Sequence, residues 1–114
     1  LDYVFAPDPD TERVELTKVM VELRGQAPHN ETFEAYFTAN DGRFRRNLAD
    51  IVERGVEEGV YRPVDADAVA EFLLTIISGG TVRRATAADA VDIVAVRAEV
   101  DAYLDARLLR DDTA

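Results

Sequence analysis

Side chains that commonly carry catalysis or bind metals are scarce in this chain. Cysteine is absent, and His29 is the single histidine, flanked by Pro28 and Asn30. A zinc site needs several Cys or His ligands and a helical di-metal site needs Glu-x-x-His pairs, so no metal is predicted. His29 is interpreted as a solvated loop residue, with contact to a ligand as the alternative. The adjacent acids Glu57-Glu58 and Asp111-Asp112 project differently from a helix, which favours an acidic solvated surface over acid–base chemistry.

Sequence signatures of enzymes and of cofactor binding are absent as well. The chain holds no phosphate-binding P-loop, no dinucleotide fingerprint, no HExxH and no nucleophile elbow. We therefore predict that the protein is not an enzyme and carries no cofactor. The basic group Arg43, Arg45 and Arg46 could bind an anion, but on a helix these positions spread around the surface among acidic neighbours. Ordinary salt bridges are the favoured interpretation.

A cluster of aromatic residues is the best candidate for binding a small molecule. Phe33, Tyr36, Phe37 and Phe44 fall within one short stretch, after an apolar stripe that includes Met20. Small-molecule cavities are mostly apolar with a few polar anchors, which the Tyr36 hydroxyl could supply. A plainly filled core is the alternative, and it stays open. The predicted ligand-lining residues are Val19, Met20, Leu23, Phe33, Tyr36, Phe37, Phe44 and Leu48.

The charge of the chain restricts its partners. It carries 23 acidic against 13 basic residues, a net charge of −10, and Lys18 is the single lysine. Such a surface repels DNA, and an acidic, lysine-poor composition suits a halophilic source in which salt screens the charges. No apolar run is long enough to span a membrane and no signal peptide is visible, so a cytoplasmic protein is expected. The first residue is Leu1 and not Met, and we interpret the chain as part of a longer protein.

Helical periodicity dominates the first half of the chain. Leu1 to Phe5 is expected to be the tail of an upstream helix. Asp8 is predicted to cap the next helix with Pro9 at its first position, and apolar residues at 16, 19, 20 and 23 form its stripe up to Gly25. The following helix is predicted to begin after Asn30 and end at Gly59. Its stripe at 37, 44, 48 and 51 keeps phase across the turn-forming residues 40–42, which favours one long helix over two.

The second half predicts two further helices. Asp65 is expected to cap the first of them, which reaches Ser78-Gly79-Gly80. The glycines there indicate either the helix end or a close approach of another helix. The capping pattern at 86–89 predicts a last helix that runs to about Leu109, and Asp111–Ala114 is expected to fray. The sequence thus predicts one all-α domain of four main antiparallel helices.

The order of these parts resembles the C-terminal ligand-binding and dimerisation domain of TetR-family transcriptional regulators. The matching pieces are the stretch Arg43-Phe44-Arg45-Arg46-Asn47-Leu48, the spaced residues Gly55, Gly59, Tyr61, Arg62 and Asp65, and the helix end Ile76-Ile77-Ser78-Gly79. They span most of the chain. Many family members have Asp where this chain has Ser78.

The resemblance implies a homodimer whose last two helices, about 66–84 and 87–109, form a four-helix bundle with their symmetry mates. It implies a pocket for a small effector among the earlier helices, in agreement with the aromatic cluster. It also implies a repressor that contacts DNA only through an N-terminal helix-turn-helix that is absent from this chain, with no membrane partner. A helical adaptor that binds only protein is the alternative. The implied interface residues are Phe72, Ile76, Gly79, Gly80, Val96, Val100, Tyr103 and Leu104.

Overall fold

Four long helices build the chain, as the periodicity predicts. The computed structural model describes residues 4–7 and 10–110, with α1 at Thr11–Gln26, α2 at Glu31–Glu57, α3 at Ala66–Ala87 and α4 at Ile93–Leu108. Short 3-10 turns at Ala27–His29 and Ala88–Ala90 join α1 to α2 and α3 to α4. The described residues contain no β-strand beyond an isolated bridge. The all-α prediction is confirmed.

Each helix begins with a side chain that accepts a hydrogen bond from the backbone N–H three residues later. Asp10, Asn30, Asp65 and Asp92 do this at 2.9, 3.1, 3.1 and 3.0 Å. Such a cap satisfies one of the N–H groups that a helix start leaves without a partner. The caps predicted at Asn30 and Asp65 are therefore confirmed. The cap of α1 is Asp10; the predicted cap at Asp8 and its following proline lie outside the described residues.

The predicted start of the last helix is wrong by several residues. α3 continues to Ala87, and α4 begins only at Ile93 after its cap at Asp92. The Thr86 hydroxyl donates to the carbonyl of Val82, 2.7 Å away, inside α3. A residue inside a helix lacks the extended backbone that a cap requires, so Thr86 cannot cap the next helix. The bounds expected at 66–84 and 87–109 become those of α3 and α4.

Two stretches of residues that often end a helix lie inside helices in this structure. α2 is continuous through Asn40-Asp41-Gly42, which confirms the single long helix. α3 runs on past Gly79 and Gly80, so this pair does not cap a helix end. No atom lies within 4 Å of where a Cβ would stand on either glycine. Within one chain, therefore, nothing requires glycine at these positions.

The corner between α2 and α3 explains the spaced residues Gly55, Gly59, Tyr61, Arg62 and Asp65. Gly59 adopts φ of +76°, which glycine tolerates without strain. The chain then folds back so that the Tyr61 ring lies against Gly55, whose carbonyl accepts from the Tyr61 N–H at 3.0 Å. The Arg62 N–H donates to the carbonyl of Leu108 at 2.7 Å, and its Nε donates to that of Leu109 at 2.6 Å. The motif is thus a structural corner that fastens the end of α4.

The main core lies on the inner side of α3. Ala70 and Val69 are almost completely buried, and the cluster also receives Phe5 from the N-terminal segment. Val4 and Phe5 form a turn, not the helix tail predicted for residues 1–5, and residues 1–3 and 111–114 lie outside the described part. The Arg84 side chain in α3 donates to the carbonyl of Ala6 at 2.6 Å, which fastens this segment. The molecule measures 50 × 32 × 20 Å, so it is about two helices thick along its shortest axis.

Candidate functional site

A cavity of about 280 Å³ lies between α1, α2 and α3. Its volume is close to the lower limit of typical small-molecule sites. All three helices supply walls, and most of the lining surface is carbon. The lining residues are Val4, Met20, Val21, Arg24, Phe37, Asn40, Asp41, Phe44, Leu74, Ile77, Ser78, Thr81 and Val82.

Phe37 is the best-buried aromatic residue at this site. Only 7% of it is exposed, and it lies outside the main core cluster around α3. Tyr36 meets it edge-on with ring centroids 5.1 Å apart. The Arg24 guanidinium lies over the Phe37 ring, 4.7 Å from its centroid, which is a cation–π contact. These contacts hold the ring in place at the cavity wall.

The charges at the cavity wall are balanced. Arg24 Nη2 donates to Asp41 Oδ1 at 2.5 Å, and both side chains are about one-third exposed. A charged ligand would have to compete with this ion pair, whereas a neutral ligand would leave it intact. Asn40, Ser78 and Thr81 offer hydrogen bonds that do not require a charge. The site is therefore chemically suited to a small, largely apolar and neutral molecule.

The structure brings three of the predicted ligand-lining residues together at the cavity: Met20, Phe37 and Phe44. Val19 and Tyr36 point mainly to solvent, being 51% and 50% exposed. The remaining three do not line it: Leu23 and Phe33 are half-buried, and Leu48 packs against the main core. Ligand binding by any of the eight stays a prediction.

The sequence analysis missed the wall supplied by α3. Leu74, Ile77, Ser78 and Thr81 recur at steps of three and four, so they lie on one helix face. This spacing is visible in the sequence. The spacing alone did not identify this face as the cavity wall, because α3 is apolar on more than one side. The packing of α1 determines which side of α3 lines the cavity.

A different face of α3 remains uncovered. Phe72, Ile76 and Gly79 follow one another at steps of four and three, and Phe72 is 43% exposed. The Phe72 ring packs on Tyr103 of α4 with centroids 4.6 Å apart. Gly79 stands in open space. Phe72, Ile76 and Gly79 are called here the α3 outer face. Through the contact between Phe72 and Tyr103, this face adjoins the part of α4 that is also predicted for an interface.

Several predicted interface residues, Ile76 of the α3 outer face included, are partly covered by their own chain. Ile76, Val96, Tyr103 and Leu104 are half-buried against the main core. Val100 is only 5% exposed, so a partner could touch little of it. Its part in an interface would be to support Val96 and Tyr103 from beneath. Whether these residues meet a second copy stays a prediction.

The remaining polar candidates carry no assembled chemistry. Arg45 pairs with Asp67 at 3.2 Å and with Glu71 at 3.8 Å, which fits the salt-bridge interpretation of the arginine group. His29 is exposed at the end of a 3-10 turn. Among the residues that the structure describes, no three His, Cys, Asp or Glu side chains lie together as a metal ion would require. In the same residues, no helix combines the length and the apolar character needed to cross a membrane.

Comparison with known proteins identifies a matching family and a similar solved structure. Residues 3–109 match the family model described as "BetI-type transcriptional repressor, C-terminal". The fold is also similar to the crystal structure of a TetR transcription regulator from Haloarcula marismortui, with 36% identity and a TM-score of 0.77. That match covers 85% of this chain and 52% of the regulator, so the chain corresponds to about half of that protein. No curated protein matches the chain.

Proposed function

The chain belongs to the TetR family of transcriptional regulators, as a C-terminal domain of the BetI type, and we propose that it binds a small effector and forms a homodimer. Membership places it in a regulator and not in an enzyme. The effector site is the cavity between α1, α2 and α3, and the dimer contact is the α3 outer face together with α4.

One observation carries this proposal: the same helix lines the cavity and presents the uncovered face. Ile77, Ser78 and Thr81 line the cavity. Phe72 and Gly79 lie on the other side of α3. A ligand that shifts α3 would therefore change the contact with a second copy, and the linkage between the two events is reciprocal.

The shape of the chain supports dimerisation. A radius of gyration of 16.0 Å exceeds the roughly 13–14 Å expected for a compact domain of this length. The molecule is thin, and Phe72 on the α3 outer face exposes 43% of its surface. Pairing α3 and α4 with the same helices of a second copy would bury that surface in a four-helix bundle with two-fold symmetry. Glycine at 79 and 80 would let the paired backbones approach closely.

The rest of the proposal concerns the setting in which the domain acts. The net charge of −10 opposes contact with DNA, so the repressor would read its operator through a separate helix-turn-helix portion. An effector that changes the dimer geometry would alter the spacing of two such portions. A cytoplasmic location follows from this role. The acidic, lysine-poor composition and the similarity to a Haloarcula marismortui protein support a halophilic source.

The proposal predicts that Gly79→Leu weakens the dimer. A leucine there would force apart two closely packed helices, with a cost of about 1–3 kcal/mol, or roughly 5- to 150-fold in the dissociation constant. The fold of the single chain should not suffer, because Gly79 is exposed and a Cβ there would have no atom within 4 Å outside its own turn of helix. Sedimentation equilibrium over micromolar concentrations measures the effect.

Gly25→Leu is the matched control. Gly25 is also helical, exposed and without any atom within 4 Å of its Cβ position, but it lies on α1. It should leave the dimer unchanged. A Gly79→Leu dimer as tight as the unsubstituted one would refute this interface, and a strictly monomeric natural protein would refute dimerisation altogether. Repeating the sedimentation with neutral aromatic and aliphatic compounds that raise the melting temperature tests the linkage to the cavity.

A further inference from the structure

A second cavity of about 280 Å³ lies beside the first, between α1, α3 and the turn that precedes α4. Val4 and Thr81 border both cavities. Val4 of the N-terminal segment lies at the boundary of the two cavities, and Arg84 fastens Ala6 and Pro7 of the same segment. This space, called here the arginine cavity, takes no part in the function proposed above.

The arginine cavity differs from its neighbour in charge. Its described lining includes Arg13 and Arg84 and no carboxylate. No described carboxylate pairs with Arg84, whose side chain donates through Nη2 to the carbonyl of Ala6 at 2.6 Å and, weakly, to that of Pro7 at 3.5 Å. A guanidinium has five N–H donors, so these two acceptors leave most of its hydrogen-bonding capacity unused. In a chain with a net charge of −10, Arg84 thus brings a positive charge to a concave site whose described lining holds no carboxylate.

The rest of the lining is mainly apolar. Val14, Val91 and Ile93 supply branched aliphatic surface, and Thr17 and Thr81 add hydroxyl groups near the basic side chains. An inorganic anion would leave the aliphatic wall in contact with water. A ligand with an apolar tail would cover that wall and gain the free energy of burial.

We propose that the arginine cavity binds an organic monocarboxylate with a short apolar tail. The carboxylate accepts two N–H bonds from Arg84, whose planar fork matches the spacing of two carboxylate oxygens. The tail lies along Val14, Val91 and Ile93. The balanced Arg24–Asp41 pair makes the first cavity unsuitable for the same ligand. This inference extends beyond the proposed function and does not require dimerisation.

Octanoate is the probe, and isothermal titration calorimetry on the purified protein is the assay. Octanol has a tail of equal length without the charge, octyltrimethylammonium has the opposite charge, and inorganic phosphate has no tail. Octanoate should bind at least about tenfold more tightly than each of them, which is the usual value of a hydrogen-bonded charge pair. Equal binding of octanol would show that Arg84 contributes nothing, and equal binding of phosphate would show that the aliphatic wall contributes nothing. Either result would overturn the proposal.

Two variants test the location. Arg84→Gln should weaken octanoate binding about tenfold or more, while Arg54→Gln, an equal charge change on an exposed position of α2, should not. Because Arg84→Gln also releases the N-terminal segment, Ala85→Leu provides a second test: it fills the cavity and leaves both arginines in place. Circular dichroism confirms that each variant is folded. Unchanged octanoate affinity in folded Ala85→Leu would overturn the proposal, whatever the dimer experiment shows.

Discussion

The contact between Gly55 and Tyr61 allows one prediction to be worked out in detail. A Cβ added at Gly55 would stand 2.1 Å from Tyr61 Cδ2 and 2.3 Å from Cε2. Carbon atoms in contact normally lie 3.5–4.0 Å apart, so the ring would have to retreat by about 1.5 Å. It cannot do so freely. Its backbone N–H is bonded to the Gly55 carbonyl, and the next residue is bonded to Leu108 at 2.7 Å.

We expect Gly55→Ala to lower the free energy of unfolding by about 1–2 kcal/mol. Overpacking of this kind costs about 1–3 kcal/mol, and the better helix propensity of alanine returns about 0.5–1 kcal/mol. For a domain of this size, the melting temperature should fall by roughly 5–10 °C. Urea unfolding measures the free energy and thermal unfolding measures the melting temperature, each followed by circular dichroism.

Gly42→Ala is the matched control in the same helix. Its new Cβ would meet only Arg46 Nη1, at 3.5 Å, which is an ordinary contact with the end of a flexible side chain. This variant should therefore gain about 0.5–1 kcal/mol. A double-mutant cycle with Tyr61→Ala identifies the cause, because without the ring Gly55→Ala should become neutral or stabilising. If Gly55→Ala stays equally destabilising in the Tyr61→Ala background, the steric explanation is refuted.

Two further predictions concern capping and charge. Asp65→Ala should lower the free energy of unfolding by about 1 kcal/mol, because it removes the cap of α3. Asp67→Ala, an equal charge change that removes an exposed ion pair, should lower it by less than half of that in urea unfolding. Equal losses in the two variants would show that the cap does not matter. Raising KCl from 0.1 to 2 M should increase the melting temperature by screening the repulsion among excess acids, and the triple variant Glu22→Gln, Glu53→Gln, Glu57→Gln should gain less from the same salt. An equal gain in both proteins would mean that salt acts through something other than charge.

Most of the helices could be predicted from the sequence, because helix capping depends on hydrogen bonds between residues only a few positions apart. Asn30 and Asp65 cap helices since each has a side-chain acceptor three residues before an N–H that needs one. The pattern at 86–89 has the same local form but failed, because α3 continues through Thr86, where the backbone is helical and not extended as a cap requires. Continuity through 40–42 has a tertiary cause as well. The Asp41 carboxylate binds Arg24 of α1, so it is not available to stabilise a turn.

The candidate site was predicted less completely than the helices. Met20, Phe37 and Phe44, which line the cavity, were predicted from their clustering, although a filled core would show the same pattern. Ser78 and Thr81 were not predicted, because they line the cavity only as a result of which side of α3 faces α1. The arginine cavity was missed for a similar reason. Its basic residues, Arg13 and Arg84, lie on different helices and far apart in the sequence.

The bond between Arg84 and Ala6 joins residues 78 positions apart, which imposes an order of events during synthesis. A ribosome adds about 5–20 residues per second, so the acceptor exists for several seconds before its donor has been made. For most of that interval α3 has not been made, so Phe5 lacks the α3 residues that share its core cluster. Residues 4–7 are therefore among the last parts of this core to be fixed in place.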